Sequence, residues 1–342
     1  MATIALNFED GYTRIIEGIN GETVANAAFS ARINIPLDCN DGVCGTCKCR
    51  VRSGSFDMGN EYIEDAITDE EIAQGFALAC QMVPKSDMVI DILASSAACK
   101  VKTETIATTI TSLEFPSSEI VKLVLKSKDG RTFNFLPGQY ANIQLPTGES
   151  RSYSFSNVSG SDTAEFLIRL LPQGAMSDFL RETAIVGDTL NLIAPFGSFY
   201  LRDINAPTLF FAGGTGIAPF LAMLENLVNV ETRHALSPRE TPSIQLFYGA
   251  TTDENLIELD RLDSFKTKLP FQYQTCVSVE QSEKHAKGFV TQWIIKDYLG
   301  ENAYDMYICG PPPMVDVVKN SIHTEGVTQS HFYEEKFVPS GV

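Results

Sequence analysis

The most constraining feature of this sequence is a run of four cysteines within residues 39–49, CNDGVCGTCKC. Cysteines this close together can form disulfides, bind a metal or act as a redox dithiol. The chain opens with MATIALNFED, which lacks both the basic and the long apolar segment of a secretory signal. We therefore expect a cytoplasmic protein, in which disulfides are rare, and a metal site becomes the leading interpretation.

The spacing of the cysteines indicates which metal they bind. Cys39, Cys44 and Cys47 have the pattern C-x4-C-x2-C, and Cys80 follows far downstream. This is the plant-type spacing for [2Fe–2S] clusters, whose fourth thiolate ligand is distant in sequence. We expect these four cysteines to hold such a cluster, and Cys49, which has no place in the pattern, to be a strand residue.

Two other metal sites fit the sequence less well. Structural zinc sites usually have two C-x2–4-C knuckles, and only one exists here. A Rieske centre needs two histidines, and residues 1–233 contain none. Gly42 and Gly45 favour a tight loop that folds around a cluster and lets backbone N–H groups point at its sulfurs.

The charge of the chain narrows the classes of partner. Its net charge is −17, so we expect neither nucleic acid nor an anionic membrane to bind it. Residues 1–96 hold 15 Asp or Glu but only 6 Lys or Arg, and no basic residue stands between Arg52 and Lys85. Two interpretations of this acidic segment stay open: a solvated face, or a docking surface for a basic protein partner.

Three segments with different patterns of predicted strands and helices suggest three domains, at residues 1–96, 103–203 and 206–342. The first segment combines a β-hairpin, a helix after Thr23, a capping box and a closing strand. These elements are predicted at Thr3–Phe8 and Thr13–Ile16, Val24–Arg32, Thr68–Glu71 and Met88–Leu93. The small and polar residues Ala94–Ala98 form a plausible linker.

The second segment predicts a small antiparallel β-barrel, because short strands alternate with turn signals around one helix, Ala175–Thr183. Its strands are predicted at Glu119–Lys126, Gln139–Leu145, Ser152–Phe155, Glu165–Leu171 and Thr189–Ala194.

The third segment alternates strands with helices, which predicts a doubly wound α/β domain with a parallel sheet. Strands are predicted at Thr208–Ala212, Ile244–Tyr248, Phe271–Val277 and Asp305–Cys309, and helices from Ile217, near Glu254–Leu262, from Thr291 and over Pro312–Thr324. The longest charge-free apolar stretch, Leu209–Leu224, is shorter than the roughly 18–20 residues of a membrane-spanning helix.

A flavin-binding function is indicated by Arg151-Ser152-Tyr153-Ser154 in the predicted barrel. Arginine can pair with a pyrophosphate, tyrosine can pack on an isoalloxazine ring, and a serine hydroxyl can bond the flavin N5. The segment Gly174-Ala175-Met176-Ser177 opens a helix, where free N–H groups suit a phosphate. Each segment alone also fits an ordinary strand or an ordinary helix cap, so the assignment rests on both together.

A nucleotide-binding function is indicated where the first strand of the third segment meets its helix, at Gly213-Gly214-Thr215-Gly216. Glycines here let the backbone approach a pyrophosphate, although Pro219 replaces the third glycine of the usual dinucleotide fingerprint. Cys309-Gly310-Pro311 ends the last predicted strand, where such sheets bind ligands; a helix beginning at proline is the alternative explanation. The hydroxyl and acidic residues of Tyr248–Glu254 favour NADH over NADPH, whose 2′-phosphate would require Arg or Lys.

The cysteine pattern, R-x-Y-S, GGTGIAP and CGPPPM follow one another in this order and are distributed over nearly the whole chain. This order, together with IALNFEDG and DGVCGTCKCRVRSGSFDMG, resembles the ferredoxin–NADH reductase components of aromatic-ring dioxygenases of the benzoate, toluate and anthranilate type. The resemblance implies a β-grasp ferredoxin domain, an FAD-binding barrel and an NADH-binding domain of the ferredoxin–NADP reductase superfamily.

The resemblance also implies roles for single residues. Arg151, Ser152, Tyr153 and Ser154 would hold FAD, with its pyrophosphate at Gly174, Met176 and Ser177. Gly213, Gly214, Thr215 and Gly216 would line the NADH phosphates, beside Cys309, Gly310 and Pro311. Ser154, Cys309 and Glu335 would stand near the flavin N5, where hydride transfer occurs. An aromatic side chain would cover the flavin, with Phe337 the first candidate and Phe332 the second; a core position is the alternative for both.

The expected function is transfer of a hydride from NADH to FAD and of single electrons, through the cluster, to a terminal oxygenase. The sequence has no G-x-S-x-G or H-E-x-x-H motif that would indicate hydrolysis. Two alternatives remain: a reductase for a di-iron monooxygenase of the phenol or methane hydroxylase type, and a non-enzymatic redox sensor.

Overall fold

A computed structural model describes residues 2–100, 102–234, 242–279 and 282–337. Two compact units are present: one extends to Glu104 and includes Pro195–Ser198, and the other comprises Thr105–Ala194 and the chain from Phe199 onward. The three domain boundaries expected from the sequence stay a prediction, and residues 338–342 of the third domain lie outside the described residues. In the described part of the chain, no helix has both the length and the apolar character needed to cross a membrane.

The first unit is a mixed β-sheet with the helix after Thr23 packed on it. The sequence predicts its hairpin, both helices and the closing strand, but not the four short strands between Lys48 and Pro84. Its strands run in the order β2-β1-β7-β3-β5, with β1 antiparallel to β2 and parallel to β7, and β4 pairs with β6 separately. The elements are β1 Ala2–Phe8, β2 Thr13–Gly18, α1 Val24–Ser30, β3 Lys48–Ser53, β4 Phe56–Asp57, α2 Asp69–Ala73, β5 Phe76–Leu78, β6 Val83–Pro84 and β7 Met88–Ile92.

Local sequence signals explain where both helices in this unit begin. The Thr23 side chain accepts a hydrogen bond from the Asn26 N–H, which caps α1. The capping box before α2 is complete, because Thr68 and Glu71 each accept the other's backbone N–H. Both predicted caps are therefore confirmed.

The second unit begins with an antiparallel barrel. Its sheet has the order β11-β10-β13-β8-β9-β12, and a bridge between Phe155 and Phe166 joins its two ends. The elements are β8 Glu104–Ser117, β9 Ile120–Ser127, β10 Tyr140–Gln144, β11 Ser150–Ser154, β12 Thr163–Arg169, α3 Ala175–Asp178 and β13 Thr189–Phe196. The sequence prediction lacks β8, and only the first turn of the predicted helix is α-helical, since Phe179–Thr183 continues as a π-helix.

The rest of this unit is a parallel six-stranded sheet in the order β17-β16-β15-β14-β18-β19. Alternate residues of its central strands face two separate apolar clusters, one on each side of the sheet, which explains why these strands are apolar throughout. The elements are β14 Thr208–Gly213, α4 Ala218–His234, β15 Ile244–Ala250, α5 Leu259–Lys266, β16 Phe271–Val277, β17 Ala286–Lys287, α6 Lys296–Leu299, β18 Tyr304–Gly310, α7 Pro312–Glu325 and β19 Gln329–Lys336.

Two predicted helices of this sheet differ from the structure. The helix expected near Glu254–Leu262 begins only at Leu259, because Glu258 has a left-handed backbone with φ of 62°. The helix expected from Thr291 is replaced by a 3-10 turn, Val290–Trp293, followed by the single turn of α6. The edge strands β17 and β19 are also absent from the sequence prediction.

Candidate functional site

The four cysteines of the predicted cluster site approach each other as two pairs. The Cys39 and Cys44 thiols hydrogen-bond each other, and so do the Cys47 and Cys80 thiols. The bond from Cys44 lowers the pKa of Cys39 to about 6, and the bond from Cys47 lowers the pKa of Cys80. In each pair one sulfur is therefore disposed to be a thiolate, the form that binds metals.

Backbone N–H groups also face these sulfurs. The Cys39 sulfur accepts from the backbone of Asp41 and Val43, and the Cys80 sulfur accepts from the backbone of Gly42. Such bonds stabilise negative charge on a sulfur and raise the reduction potential of a cluster that it ligates.

Two glycines make this loop geometry attainable. Gly42 and Gly45 have φ of 86° and 70°, a backbone region that other residues rarely adopt. A Cβ on Gly42 would lie 2.4 Å from the Glu61 carbonyl oxygen, and a Cβ on Gly45 would lie 2.8 Å from that of Ala66. The cysteine loop therefore packs directly on the backbone of residues 61–66.

The pairing of the thiols distinguishes between the metals considered above. A [2Fe–2S] cluster needs two thiolates on each of two irons, whereas zinc needs its ligands around one point. The donor set thus fits the binuclear cluster. Cys49 lies in β3, buried, with its thiol 3.4 Å from the Ala77 carbonyl oxygen, so the prediction of a strand residue is confirmed.

The predicted flavin residues occupy β11, which pairs with β10. Ser154 is buried opposite Tyr140, and Ser152 is exposed. The Arg151 guanidinium donates to the Ser150 carbonyl oxygen at 2.8 Å and lies 3.6 Å from Glu149. Burial raises the pKa of Tyr153, so its phenol stays protonated and available as a hydrogen-bond donor.

The predicted pyrophosphate segment presents backbone rather than side chains. Gly174 precedes α3, and no side chain caps that helix. Met176 packs inside the barrel core, and the Ser177 hydroxyl accepts the Leu171 N–H at 2.9 Å. If this segment binds a phosphate, it does so through the N–H groups at the start of α3.

The predicted nucleotide residues lie at the point where the sheet reverses its order. After β14 the chain builds outward through β15, β16 and β17, then returns to place β18 on the other side of β14. Ligands of open α/β sheets bind in the crevice at the carboxyl ends of such a strand pair. There Gly213 ends β14 and Gly214–Gly216 follows it, while Cys309 and Gly310 end β18 and Pro311 follows them.

The two nucleotide loops are in direct contact. A Cβ on Gly216 would lie 2.3 Å from the Cys309 carbonyl oxygen, and a Cβ on Gly213 would lie 2.4 Å from the Met314 sulfur. A Cβ on Gly310 would lie 3.3 Å from Gly213 Cα. Glycine at these positions lets the loops form one continuous backbone surface.

Two of the three predicted catalytic residues are brought together on that surface. Cys309 in β18 is the register partner of Glu335 in β19. Burial, followed by the Glu335 carboxylate, raises the pKa of the Cys309 thiol well above its usual value, so it stays protonated. Ser154 belongs to the barrel sheet instead.

The structure separates the two candidate aromatic residues. The Phe337 N–H donates to the Gly310 carbonyl oxygen at 3.1 Å, beside the Cys309 loop. Phe332 packs in the apolar cluster beneath α7. Phe337 also contacts the core cluster on its side of the sheet, and its role in covering a flavin stays a prediction.

A feature that motif analysis did not single out lies after β15. Thr252 Oγ1 and Asp253 Oδ1 are buried, and neither has a hydrogen-bond partner among the described residues. Buried polar atoms are nearly always paired, so this pair of oxygens is suited to a ligand hydroxyl. The sequence indicates only the hydroxyl and acidic character of this segment, because pairing depends on the tertiary fold.

A second such feature is the contact between the barrel and the nucleotide-binding part of the same unit. Gly138, which the sequence presents only as a turn residue, has φ of 111°. A Cβ there would lie 2.4 Å from the Met223 methyl group of α4 and 2.7 Å from the Phe199 carbonyl oxygen. Ile120 and Leu167 of the barrel join the apolar cluster of the nucleotide sheet.

Family models match the chain in three consecutive regions. Residues 7–85 match a 2Fe-2S iron-sulfur cluster binding domain, residues 107–200 an oxidoreductase FAD-binding domain, and residues 210–320 an oxidoreductase NAD-binding domain. The predicted fold class and the three predicted cofactors are thereby confirmed.

Similar proteins cover the chain from end to end. It is 44% identical over 98% of its length to the toluate 1,2-dioxygenase electron transfer component of Pseudomonas putida, of which 98% is covered. It is 41% identical over 99% of its length to the anthranilate 1,2-dioxygenase electron transfer component of Acinetobacter baylyi, of which 98% is covered. The crystal structure of a cytochrome P450 reductase from Amycolatopsis superposes with a TM-score of 0.73 at 26% identity, covering 99% of this chain and 100% of that one. The chain therefore belongs to the family of dioxygenase electron transfer components, and it is an NADH-dependent flavin and iron–sulfur oxidoreductase.

Proposed function

We propose that this chain takes electrons in pairs from NADH and passes them singly to the terminal oxygenase of an aromatic-ring 1,2-dioxygenase in the cytoplasm. The observation that carries the proposal is its end-to-end similarity to the toluate and anthranilate components. Because both of those names denote aromatic carboxylates, an aromatic carboxylate is the proposed substrate of the partner oxygenase. Bound FAD supplies the conversion, since it accepts a hydride and releases its electrons one at a time.

The residues of the chain supply binding and orientation. In the proposal Arg151 binds the FAD pyrophosphate with the N–H groups after Gly174, and Ser154 donates to the flavin ring. The loop Gly213–Gly216 binds the NADH phosphates through its backbone. Cys309, kept protonated by burial, provides a neutral wall beside the nicotinamide. Four thiolates in two pairs hold the [2Fe–2S] cluster.

We assign the preference for NADH over NADPH to Thr252 and Asp253, which follow β15. The unpaired Thr252 Oγ1 and Asp253 Oδ1 atoms can accept hydrogen bonds from ribose hydroxyls, whereas a 2′-phosphate would be repelled by the negative charge of the Asp253 carboxylate. We expect Asp253→Ala to reduce the ratio of kcat/KM with NADH to kcat/KM with NADPH by about tenfold, because the variant loses one buried hydrogen bond. An unchanged ratio would remove Asp253 from this role.

The oxygenase is proposed to dock on the acidic face around the cysteine loop, formed by Asp41, Glu61, Glu64 and Asp65. All four side chains are exposed. Val43 and Ile63, each 41% exposed, provide apolar contacts within this face. Complementary charge speeds association, and salt screens it.

Reconstitution with separate oxygenases tests the function. The purified chain is mixed with benzoate, toluate or anthranilate dioxygenase oxygenase components, or with a phenol hydroxylase, and the hydroxylated product formed per NADH is measured. Tight coupling to a ring dioxygenase is the expected result. Coupling to the phenol hydroxylase alone would instead establish the di-iron alternative.

Charge variants test the docking face. Glu64→Lys should slow electron transfer to the oxygenase about tenfold at low salt and much less at high salt. Glu17→Lys makes the same charge change on the exposed face of edge strand β2 and serves as the control. Equal rates at low and high salt in the unmodified protein would contradict electrostatic docking.

A further inference from the structure

Five charged side chains connect the flavin barrel to the nucleotide-binding part of the second unit. The interdomain ion network consists of Lys122 in β9, Glu165 in β12, Glu225 in α4, and Glu258 and Arg261 at the start of α5. Lys122 Nζ lies 3.2 Å from Glu165 Oε2 and 2.9 Å from Glu258 Oε1. Arg261 Nη1 lies 3.0 Å from Glu165 Oε1, and Arg261 Nη2 contacts Glu225. Each cation therefore bridges the barrel and a segment of the nucleotide-binding part.

Four of the five members of the network are largely shielded from solvent, whereas the Glu225 side chain is 35% exposed. The exposed fractions of the Glu258, Glu165 and Arg261 side chains are 13%, 17% and 20%. Burial alone would lower the pKa of Lys122, but the carboxylates of Glu258 and Glu165 raise it, so its ammonium group stays charged. Shielded ion pairs are screened weakly by salt, and removing one partner leaves the other charge uncompensated.

One member of the network has an unfavourable backbone conformation. Glu258 has φ of 62°, in the left-handed region that costs a residue with a side chain free energy. Its carboxylate contacts Lys122 and lies 3.7 Å from Arg261. Such conformations persist where surrounding contacts fix them, and they concentrate at functional sites.

The network also connects elements adjacent in sequence to the two segments assigned to the cofactors. Arg261 Nη2 donates to the Ser156 carbonyl oxygen at 2.8 Å, and the Ser156 hydroxyl donates to Glu165 Oε1 at 2.8 Å. Ser156 stands two residues after Ser154, the last residue of the flavin strand β11. Glu225 lies on α4, which begins directly after the nucleotide turn Gly214–Ile217.

We propose that Arg261 and Lys122 are positioning residues for hydride transfer. Arg261 holds α4, with the nucleotide turn at its N-terminus, at a fixed orientation to the residues that follow β11. Lys122 fixes the start of α5, which carries Arg261, to the barrel strands β9 and β12. Together they set the distance between nicotinamide and flavin. Neither side chain is assigned a contact with a reacting atom. This inference rests on the proposed function, in which β11 binds FAD and Gly213–Gly216 binds NADH.

Anaerobic stopped-flow mixing of Arg261→Met with NADH tests the inference through the bleaching of flavin absorbance. The saturating rate constant should fall by about ten- to a hundredfold, because a displacement near 1 Å is enough for such a loss. The NADH concentration for half-saturation should stay within about threefold, since the binding loops themselves are intact. The deuterium isotope effect with 4-deuterated NADH should rise, and Arg261→Lys should recover part of the rate.

A matched control lies on the same helix. Asp263 forms an exposed ion pair with Lys266 at 3.0 Å. Asp263→Asn should change neither the saturating rate constant nor the NADH concentration for half-saturation. The inference is overturned if Arg261→Met lowers only thermal stability, if it weakens NADH binding without slowing bleaching, or if Asp263→Asn has the same effect.

Two further outcomes are distinguishable from these. If Arg261→Met does not retain FAD, the same two constants are measured for Glu225→Gln, which changes only the α4 side of the network. A lower saturating rate constant in that variant supports the inference, and an unchanged one overturns it. If NADH fails to bleach the flavin of the unmodified protein, the proposed function is wrong, and the positioning role falls with it.

Discussion

At the scale of single residues, the two cofactor regions depend on glycines whose replacement would bring atoms into collision. Gly42 is enclosed by the backbone of Glu61 and Tyr62, and Gly216 by the Cys309 carbonyl group. The sequence indicates both glycines through the motifs around them. It does not indicate what they contact, because those partners come from other segments of the chain.

Gly42→Ala should prevent cluster incorporation. Its Cβ would lie 2.4 Å from the Glu61 carbonyl oxygen, so the cysteine loop would have to move. Gly59→Ala is the matched control, because Gly59 also has a positive φ, 63°, but nothing lies within 4 Å of its Cβ position. The control should lose about 1 kcal/mol of stability from backbone strain and keep its cluster. Iron content and visible absorbance of the two purified variants measure the difference, and equal iron in both would refute the packing argument.

Cys47→Ser and Cys49→Ala should have opposite effects on the cluster. Cys47 is paired with Cys80, whereas Cys49 packs against the Ala77 carbonyl group in β3. Cys47→Ser should abolish the low-temperature electron paramagnetic resonance signal of the reduced cluster. Cys49→Ala should keep that signal and cost about 1 kcal/mol of stability. A lost signal in Cys49→Ala would mean that the ligand assignment is wrong.

The cluster cysteines and Arg261 differ in whether the sequence alone identifies them. Cys39, Cys44 and Cys47 are found from spacing alone, since ligation of one cluster requires them in one loop. The arginine at position 261 carries no local signal. Its partners Glu165 and Ser156 stand about a hundred residues away in the chain, and only the folded structure brings them together.

At the scale of elements, the accuracy of prediction follows the range of the interactions that define each element. The helix caps at Thr23 and Thr68 are local hydrogen bonds, and both are predicted correctly. The start of α5 is predicted too early, because Glu258 takes a left-handed conformation amid long-range ion pairs. Strand β19 is missed since its residues are polar and only partly buried, a pattern typical of a sheet edge.

The capping box of α2 gives a prediction at this scale. Thr68 accepts the Glu71 N–H at 3.3 Å, and the Glu71 carboxylate also binds Lys48, the residue after Cys47, at 2.7 Å. Thr68→Ala should therefore lower the free energy of unfolding of the first unit by about 1 kcal/mol. Guanidinium unfolding followed by loss of cluster absorbance measures the change. Thr68→Ser keeps the hydroxyl and should match the unmodified protein; a full loss in that variant would exclude the cap as the cause.

At the scale of the whole molecule, one chain combines a carrier of two electrons with a carrier of one. The FAD-binding and 2Fe-2S domains occupy residues 107–200 and 7–85. Full reduction of both groups requires three electrons, and each NADH delivers two. The protein as isolated should therefore consume about 1.5 equivalents of NADH per chain before NADH accumulates.

An anaerobic NADH titration followed by absorbance checks this stoichiometry. The flavin and iron–sulfur bands should bleach in more than one step. Removing the cluster through Cys47→Ser should lower the endpoint to about 1.0 equivalent. An endpoint that is the same with and without the cluster would mean that the two groups do not exchange electrons.

The contact between the two nucleotide loops has a consequence for how proteins of this type can diverge. Positions 213, 216 and 310 each face the opposite loop, and the Met314 sulfur fills the space beside two of them. A side chain at position 216 would meet the backbone carbonyl group of Cys309, which no substitution in the other loop removes. A side chain at position 213 would instead meet the side chains of Met314 and Pro311, which smaller residues could replace. Position 216 should therefore stay glycine among related sequences, whereas position 213 should co-vary with positions 311 and 314. Engineering of nucleotide preference should exchange both loops at once.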